Sequence, residues 1–265
     1  MLKEMLENVR GKQPLVHCIT NYVTANDCAN LLLAAGASPI MADDPMEAEE
    51  IVSSASGLVI NLGTPNQNKL RAMLLAGRRA NELGRPVVFD PVGTAASSWR
   101  LNEALSLMES IRFSVIRANA SEVRSLLEKR CAGGGLEAPE ESEIQKNASE
   151  LAGKTGSVVV MTGRTDVITD GMRNFRVGNG HALMRRVTGA GCQLSALAGA
   201  FAAANPKEVL RSSLAAACAM GVCGELAARR MSNADGNASF RNYLIDAMYR
   251  MTGEELEKEA RYEEC

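Results

Sequence analysis

Short, wholly apolar runs alternate along the chain with longer stretches whose apolar positions recur every three or four residues. The run Gly57-Leu58-Val59-Ile60-Asn61-Leu62-Gly63 is apolar at nearly every position, the pattern of a strand covered on both faces. Thr64-Pro65-Asn66-Gln67 then predicts a helix start, with Thr64 as N-cap, Pro65 at the first position and Gln67 closing a capping box. That helix should run to about Leu83, where Gly84-Arg85-Pro86 stops it. Val87 to Phe89, Phe113 to Arg117 and Ser157 to Met161 are the next strands, with helices expected over Leu101–Ser110 and Asn119–Lys129 between them. Thr165–Thr169 and Asn174–Val177 flank Asp170-Gly171, which predicts a hairpin at the sheet edge. Helices follow over Leu194–Ala204, Pro206–Arg230, Ser239–Met251 and Glu254–Arg261. The segment from Cys131 to Glu143, with its Gly133-Gly134-Gly135, is expected to be a mobile loop. The pattern predicts an α/β fold: a mostly parallel central sheet, helices on both faces, a helical C-terminal third, and one domain spanning residues 1–265.

Ligands of open α/β sheets bind outside the carboxyl ends of the strands. The polar residues at those ends are Asn61, Asp90, Arg117, Asn119 and Thr162. A second signal is Val187-Thr188-Gly189-Ala190-Gly191-Cys192-Gln193-Leu194, a small-residue turn running into an apolar helix. The first amides of a helix have no internal partner and carry the positive end of its dipole, which suits a phosphate or a developing oxyanion. Taken alone, a tight strand-to-helix turn explains that segment equally well. No lysine follows the second glycine, so it is no Walker loop, and the third glycine of a dinucleotide fingerprint is missing.

With 265 residues, 46% of them hydrophobic, the chain can bury a large core. A formal net charge of −2 argues against nucleic acid as the main partner. No stretch reads as a bilayer-spanning run, and Met1 to Glu7 reads as a charged amphipathic segment rather than a signal peptide. Seven cysteines with no Cys-x-x-Cys spacing argue against a disulfide framework or a zinc site and for a reducing, cytoplasmic setting. Cys218 and Cys223 fit buried positions of an alanine-rich helix, and His17 and His181 have no metal spacing and read as structural.

Together, His17-Cys18-Ile19-Thr20-Asn21-Tyr22-Val23-Thr24, Gly36-Ala37-Ser38-Pro39-Ile40-Met41, Asp90-Pro91-Val92-Gly93, Arg117-Ala118-Asn119-Ala120-Ser121-Glu122, Thr162-Gly163 and Thr188-Gly189-Ala190-Gly191-Cys192 resemble the hydroxyethylthiazole kinases of the ribokinase-like superfamily. The resemblance runs nearly end to end. It implies transfer of the ATP γ-phosphoryl to the hydroxyl of 4-methyl-5-(2-hydroxyethyl)thiazole in thiamine salvage, with Mg²⁺, in a homotrimer whose substrate sites lie between subunits. It implies that Gly189, Ala190 and Gly191 offer amides to the moving phosphoryl, and that Gly189 and Met41 touch the alcohol. Arg117 and Thr162 are implied to contact ATP.

Cys192 stands where sugar-kinase relatives carry an aspartate base, and it is either a base or a spacer leaving room for the alcohol. Asn119 and Glu122 resemble the superfamily's Asn-x-x-Glu motif, which serves nucleotide and Mg²⁺, but the same spacing is a capping box. Asp90 is a second candidate to orient the metal. Asn21 and Thr24 are expected in the first turn of an early helix, lining the substrate pocket or capping. The alternatives are a hydroxymethylpyrimidine kinase or another vitamin-alcohol kinase of the same fold, a hydrolase using Cys192 as nucleophile, and a nucleotide sensor without catalysis.

Overall fold

A computed structural model describes residues 1–131 and 141–265. The chain order is α1 (Leu2–Lys12), β1 (Leu15–Ile19), α2 (Ala25–Ala35), β2 (Ser38–Ile40), α3 (Ala48–Ser54), β3 (Gly57–Asn61), α4 (Gln67–Glu82), β4 (Val87–Asp90), α5 (Ser98–Ser110), β5 (Val115–Asn119), α6 (Ala120–Glu128), α7 (Glu141–Thr155) and β6 (Val158–Thr162). A hairpin of β7 (Asp166–Thr169) and β8 (Asn174–Val177) follows, then a 3-10 helix (Ala182–Arg186), α8 (Ala190–Ala204), α9 (Val209–Arg230), α10 (Asn237–Arg250), α11 (Gly253–Glu259) and β9 (Tyr262–Glu264). The described strands form one sheet in the order β2-β1-β3-β4-β5-β6-β7-β8-β9. It is parallel from β2 through β6 and antiparallel from β6 to β9.

Alternate residues of each central strand enter opposite cores. Val16, Val59, Val88 and Val115 pack with α1, α2, α8, α9 and α10, whereas Leu58, Ile60, Phe89 and Ile116 pack with α3 to α7. This two-sided burial is what an apolar, non-alternating strand requires. The parallel register brings the carboxyl ends of β3, β4, β5 and β6 level, with Asn61 opposite Asp90 and Asn119 opposite Thr162.

Several expectations need correction. β1 and β2 had no strand signal of their own, since His17 and Cys18 interrupt one and Pro39 the other; proline is tolerated there because β2 is an edge strand. The hairpin is not the sheet edge: β9 pairs outside β8 and covers it. α4 is capped not by Thr64 but by Asn66, whose extended backbone lets its side chain accept from Lys69 N at 2.9 Å. α2 starts at Ala25, so Asn21 lies before the helix and Thr24 takes the N-cap position without a side-chain capping bond. α8 begins at Ala190 rather than Leu194, which places the small residues inside its first turn. α9 is long and apolar enough to cross a membrane by length and composition, contrary to the sequence expectation, but 78% of its apolar window is buried in the protein. Of the expected mobile loop, residues 132–140 lie outside the described residues, and Glu141 to Glu143 belong to α7.

Candidate active site

The first turn of α8 is shaped by two glycines. Gly189 occupies the N-cap with φ 79° and ψ 11°, a left-handed conformation that L side chains rarely adopt. A Cβ at this position would lie 2.2 Å from Thr24 Cγ2. At Gly191 a Cβ would lie 2.5 Å from Arg117 Nη2, so only glycine lets the guanidinium approach this turn so closely. No side chain caps α8, which leaves the amides of its first turn for a ligand. The nearest intrahelical bond, Gln193 N to Gly189 O at 2.9 Å, closes only below them.

Behind this turn, the strand ends converge on Asp90, a fully buried carboxylate. Its Oδ1 accepts from Arg117 Nη1 at 3.1 Å, and its Oδ2 accepts from Asn61 Nδ2 and Ser195 Oγ, both at 2.7 Å. Arg117 Nη2 also donates to Thr162 Oγ1 at 2.8 Å. Burial works against the Arg117 charge, but Asp90 and Glu122 outweigh it and hold the guanidinium firmly protonated. Cys192 Sγ accepts from Asn61 Nδ2 at 3.3 Å and Asn21 Nδ2 at 3.4 Å. Burial, followed by the negative charge of Asp90, pushes the thiol up, so Cys192 is a neutral thiol at physiological pH despite the helix N-terminus. Among the described residues no histidine partners it: His17 Nε2 contacts Ala42 O at 2.7 Å and His181 Nδ1 accepts from Leu183 N at 3.3 Å. A cysteine hydrolase would need such a base at the thiol.

Asn119 and Glu122 do form the capping box of α6: Asn119 Oδ1 accepts from Glu122 N at 3.0 Å, and Glu122 Oε2 accepts from Asn119 N at 2.9 Å. Glu122 Oε1 takes Gly93 N at 3.0 Å. Burial, then Asp90, raises the Glu122 pKa. Each Glu122 oxygen holds one amide and keeps a lone pair, which suits a hydrated divalent cation reached through water. Asp90 does not fit as a direct metal ligand, because both its oxygens are buried and committed to Arg117, Asn61 and Ser195. Among the described residues no three histidine, cysteine, aspartate or glutamate side chains converge to hold a metal ion by themselves.

A cavity of about 730 Å³ opens beside this network, lined by Arg117, Thr162, Gly189, Ala190 and Gly191 together with the segments 163–166 and 179–187 and the α9 residues Ala217, Met220 and Gly221. Asn21 is outside the cavity, in the turn after β1, while Met41 follows β2 and is 37% exposed. The sequence reading did not single out Ser195, Lys69, Asp166 or Glu225. Ser195 is hidden in an alanine-rich helix, where only its spacing of four from Gly191 marks the same face. Lys69 is buried in the first turn of α4, where Nζ donates to Thr20 O at 2.9 Å and pairs with Asp43 at 3.0 Å. Asp166 lines the cavity and accepts Gly163 N at 2.9 Å; burial raises its pKa to about 6.

A family model described as "Hydroxyethylthiazole kinase family" matches residues 6–254. A hydroxyethylthiazole kinase of Clostridium acetobutylicum is 48% identical over 271 aligned positions, covering 99% of each chain. The solved structure of a hydroxyethylthiazole kinase protein from Pyrococcus horikoshii OT3 is 38% identical with a TM-score of 0.91, covering 100% of this chain and 98% of that one. A ribokinase-like superfamily protein of Enterococcus faecalis V583 is 13% identical with a TM-score of 0.64, covering 95% of each chain, a likeness of fold alone.

Proposed function

The chain belongs to the hydroxyethylthiazole kinase family, and from that membership we propose that it transfers the γ-phosphoryl of ATP to the hydroxyl of 4-methyl-5-(2-hydroxyethyl)thiazole, a thiamine-salvage step. The observation that carries the reading is the uncapped first turn of α8, opening onto the cavity beside Arg117. The alcohol oxygen attacks the γ-phosphorus, the bond to the β–γ bridging oxygen breaks, ADP leaves, and the hydroxyl proton passes to the transferred phosphoryl oxygens and from there to water. The transition state spreads charge over the equatorial oxygens, so fixed donors do most of the work. Gly189, Ala190 and Gly191 supply those donors, and Arg117, held by Asp90 and Thr162, supplies positive charge. Thr162 and Asn119 contact the nucleotide; Asn119 keeps its Nδ2 donors because Oδ1 serves the capping box.

Cys192 acts as the spacer that shapes the alcohol's seat between Asn21 and Asn61. Its neutral thiol is a poor base, and a loose transition state asks little of one because the hydroxyl proton leaves late. Asn21, Gly189 and Met41 border the alcohol. Glu122 would hold Mg²⁺, and Asp90 would serve it only by orienting Arg117. The metal, when bound, neutralises charge on the phosphates. The assembly is a homotrimer in the cytoplasm with substrate sites between subunits. An ADP-release assay over heterocyclic alcohols, the pyrimidine alcohol included, tests the reading with and without Mg²⁺. Turnover should be highest with the thiazole alcohol and require Mg²⁺; higher kcat/KM for the pyrimidine alcohol would reassign the substrate, and ADP release from none of the alcohols would end the kinase reading.

A further inference from the structure

The cavity that the α8 turn opens into has a charge pattern that the catalytic assignment leaves unused. Arg117 is compensated: Asp90 pairs with it, and Thr162 takes a second guanidinium nitrogen. Two further arginines line the same cavity from separate elements. Arg164 sits in the turn between β6 and β7, two residues after Thr162, and Arg185 is in the 3-10 helix that leads into the Gly189 turn. Both are exposed, and among the described residues neither makes a side-chain hydrogen bond or an ion pair. Asp166, the carboxylate in the cavity lining, feels Arg117 as its cationic neighbour and bonds Gly163 N. His181 lines the cavity as well, with Nδ1 occupied by Leu183 N.

Two uncompensated guanidinium groups facing one cavity, next to free helix amides, describe a seat for a multiply charged anion. Guanidinium groups match phosphate oxygens in planar, two-pronged geometry. Part of the cavity lining is apolar, with Met184, Ala217, Met220 and Gly221, and suits a flat base. This division assigns the two ends of a nucleotide.

We propose that Arg164 and Arg185, cations without a protein partner that face the cavity from two separate elements, grip the polyphosphate of the bound nucleotide and set the preference for triphosphate over less charged nucleosides. The inference rests on the kinase reading and names further binding residues of that same site. The grip is one of affinity: the α8 amides and Arg117 serve the moving phosphoryl, whereas Arg164 and Arg185 hold the nucleotide from the open side.

The test is calorimetric binding of adenosine, AMP, ADP and ATP to full-length wild type and to Arg164→Gln, Arg185→Gln, the double variant and the control Arg186→Gln. Arg186 is exposed, adjacent in sequence and not part of the cavity lining. Because exposed charges are screened, each single cavity variant should weaken ATP and ADP binding roughly fivefold to tenfold, with the losses multiplying in the double variant. Adenosine binding and melting temperature should not change, and Arg164→Lys should restore part of the loss. The dependence of ATP affinity on salt should flatten in the double variant. Equal ATP affinity in wild type and double variant, or an equal loss for adenosine and ATP, would overturn the proposal. A wild type that binds no nucleotide would instead overturn the kinase reading beneath it.

Discussion

Cys192 sets the chemistry that a single residue can decide. Two amide nitrogens donate to its sulfur, while Asp90 and burial disfavour a thiolate. A carboxylate in the same place would accept both donors, so Cys192→Asp should fold, bind alcohol and keep or raise kcat at saturating substrate. A folded, substrate-binding Asp variant without turnover would contradict this. With a neutral thiol, Cys192→Ser should leave the shape of the kcat/KM profile unchanged between about pH 6 and 8. Gly191→Ala drives a methyl group against Arg117 and disturbs one donor, so kcat/KM should fall about a hundredfold or more with the secondary structure intact, checked by steady-state kinetics and circular dichroism. Asp166 carries the clearest pH signature. Its folded pKa, raised from 3.8 to about 6, means its neutral form is favoured by folding. That stabilisation is complete below pH 3.8 and is lost as pH rises through about 6. Asp166→Asn, which keeps an acceptor for Gly163 N, should therefore gain in melting temperature relative to wild type as pH rises from 4 to 7, and a constant difference across that range would refute the assignment.

At the scale of elements, α9 is tied to the cavity wall through one carboxylate. Glu225 accepts Gly180 N at 2.8 Å, Asn179 Nδ2 at 3.3 Å, and both Arg261 nitrogens, at 3.0 and 2.6 Å. The pair also fastens β9's entry to the segment that leads into the 3-10 helix, since Arg261 N donates to Asn179 Oδ1 at 2.6 Å. Glu225→Ala leaves the Gly180 amide and the Arg261 guanidinium short of an acceptor, while Asn179 Nδ2 keeps Glu259 O at 3.0 Å. It should cost about 1–3 kcal/mol in denaturant unfolding, discounted for the exposure of Arg261, and raise KM for ATP more than KM for the alcohol. None of this was legible beforehand, because Glu225 and Arg261 are 36 residues apart and look like ordinary helix-surface charges. What was legible follows from short-range physics. β3, β4 and β6 announce themselves as apolar runs because both faces are covered, and α6 announces its start through Asn119 and Glu122. β1 and β2 did not, since β1 places a buried histidine mid-strand and β2 is three residues long at an edge. Arg117, Asp90 and Thr162 could be foreseen at strand ends, because parallel register levels those ends. The Ser195 and Lys69 contacts could not, because they depend on how α8 and α4 lie across the sheet.

For the whole molecule, strand order separates the two halves of the proposed reaction. The cavity proposed for the nucleotide lies on the β6–β7 side, whereas Asn21 and Met41, proposed to border the alcohol, follow β1 and β2 towards the other end of the sheet. The same β1–β2 end exposes large apolar side chains: Tyr22 at 81%, Val23 at 55% and Met46 at 92%. Large apolar side chains exposed at one end of the sheet are unfavourable in water and favour contact with another surface. If neighbouring copies cover this end in the proposed homotrimer, a charge placed there should separate subunits and damage the alcohol site before the nucleotide site. Val23→Asp keeps the backbone N–H that Asn21 Oδ1 accepts at 3.1 Å, so the turn itself should survive. Light scattering should show wild type at three times the chain mass and the variant mostly as single chains. The variant should retain ATP binding by calorimetry but show KM for the alcohol raised by an order of magnitude or more, because the neighbour's part of that site is gone. Fully active single chains of wild type would break the link between assembly and alcohol binding, and an intact variant trimer with an unchanged KM would place the subunit contact elsewhere on the surface.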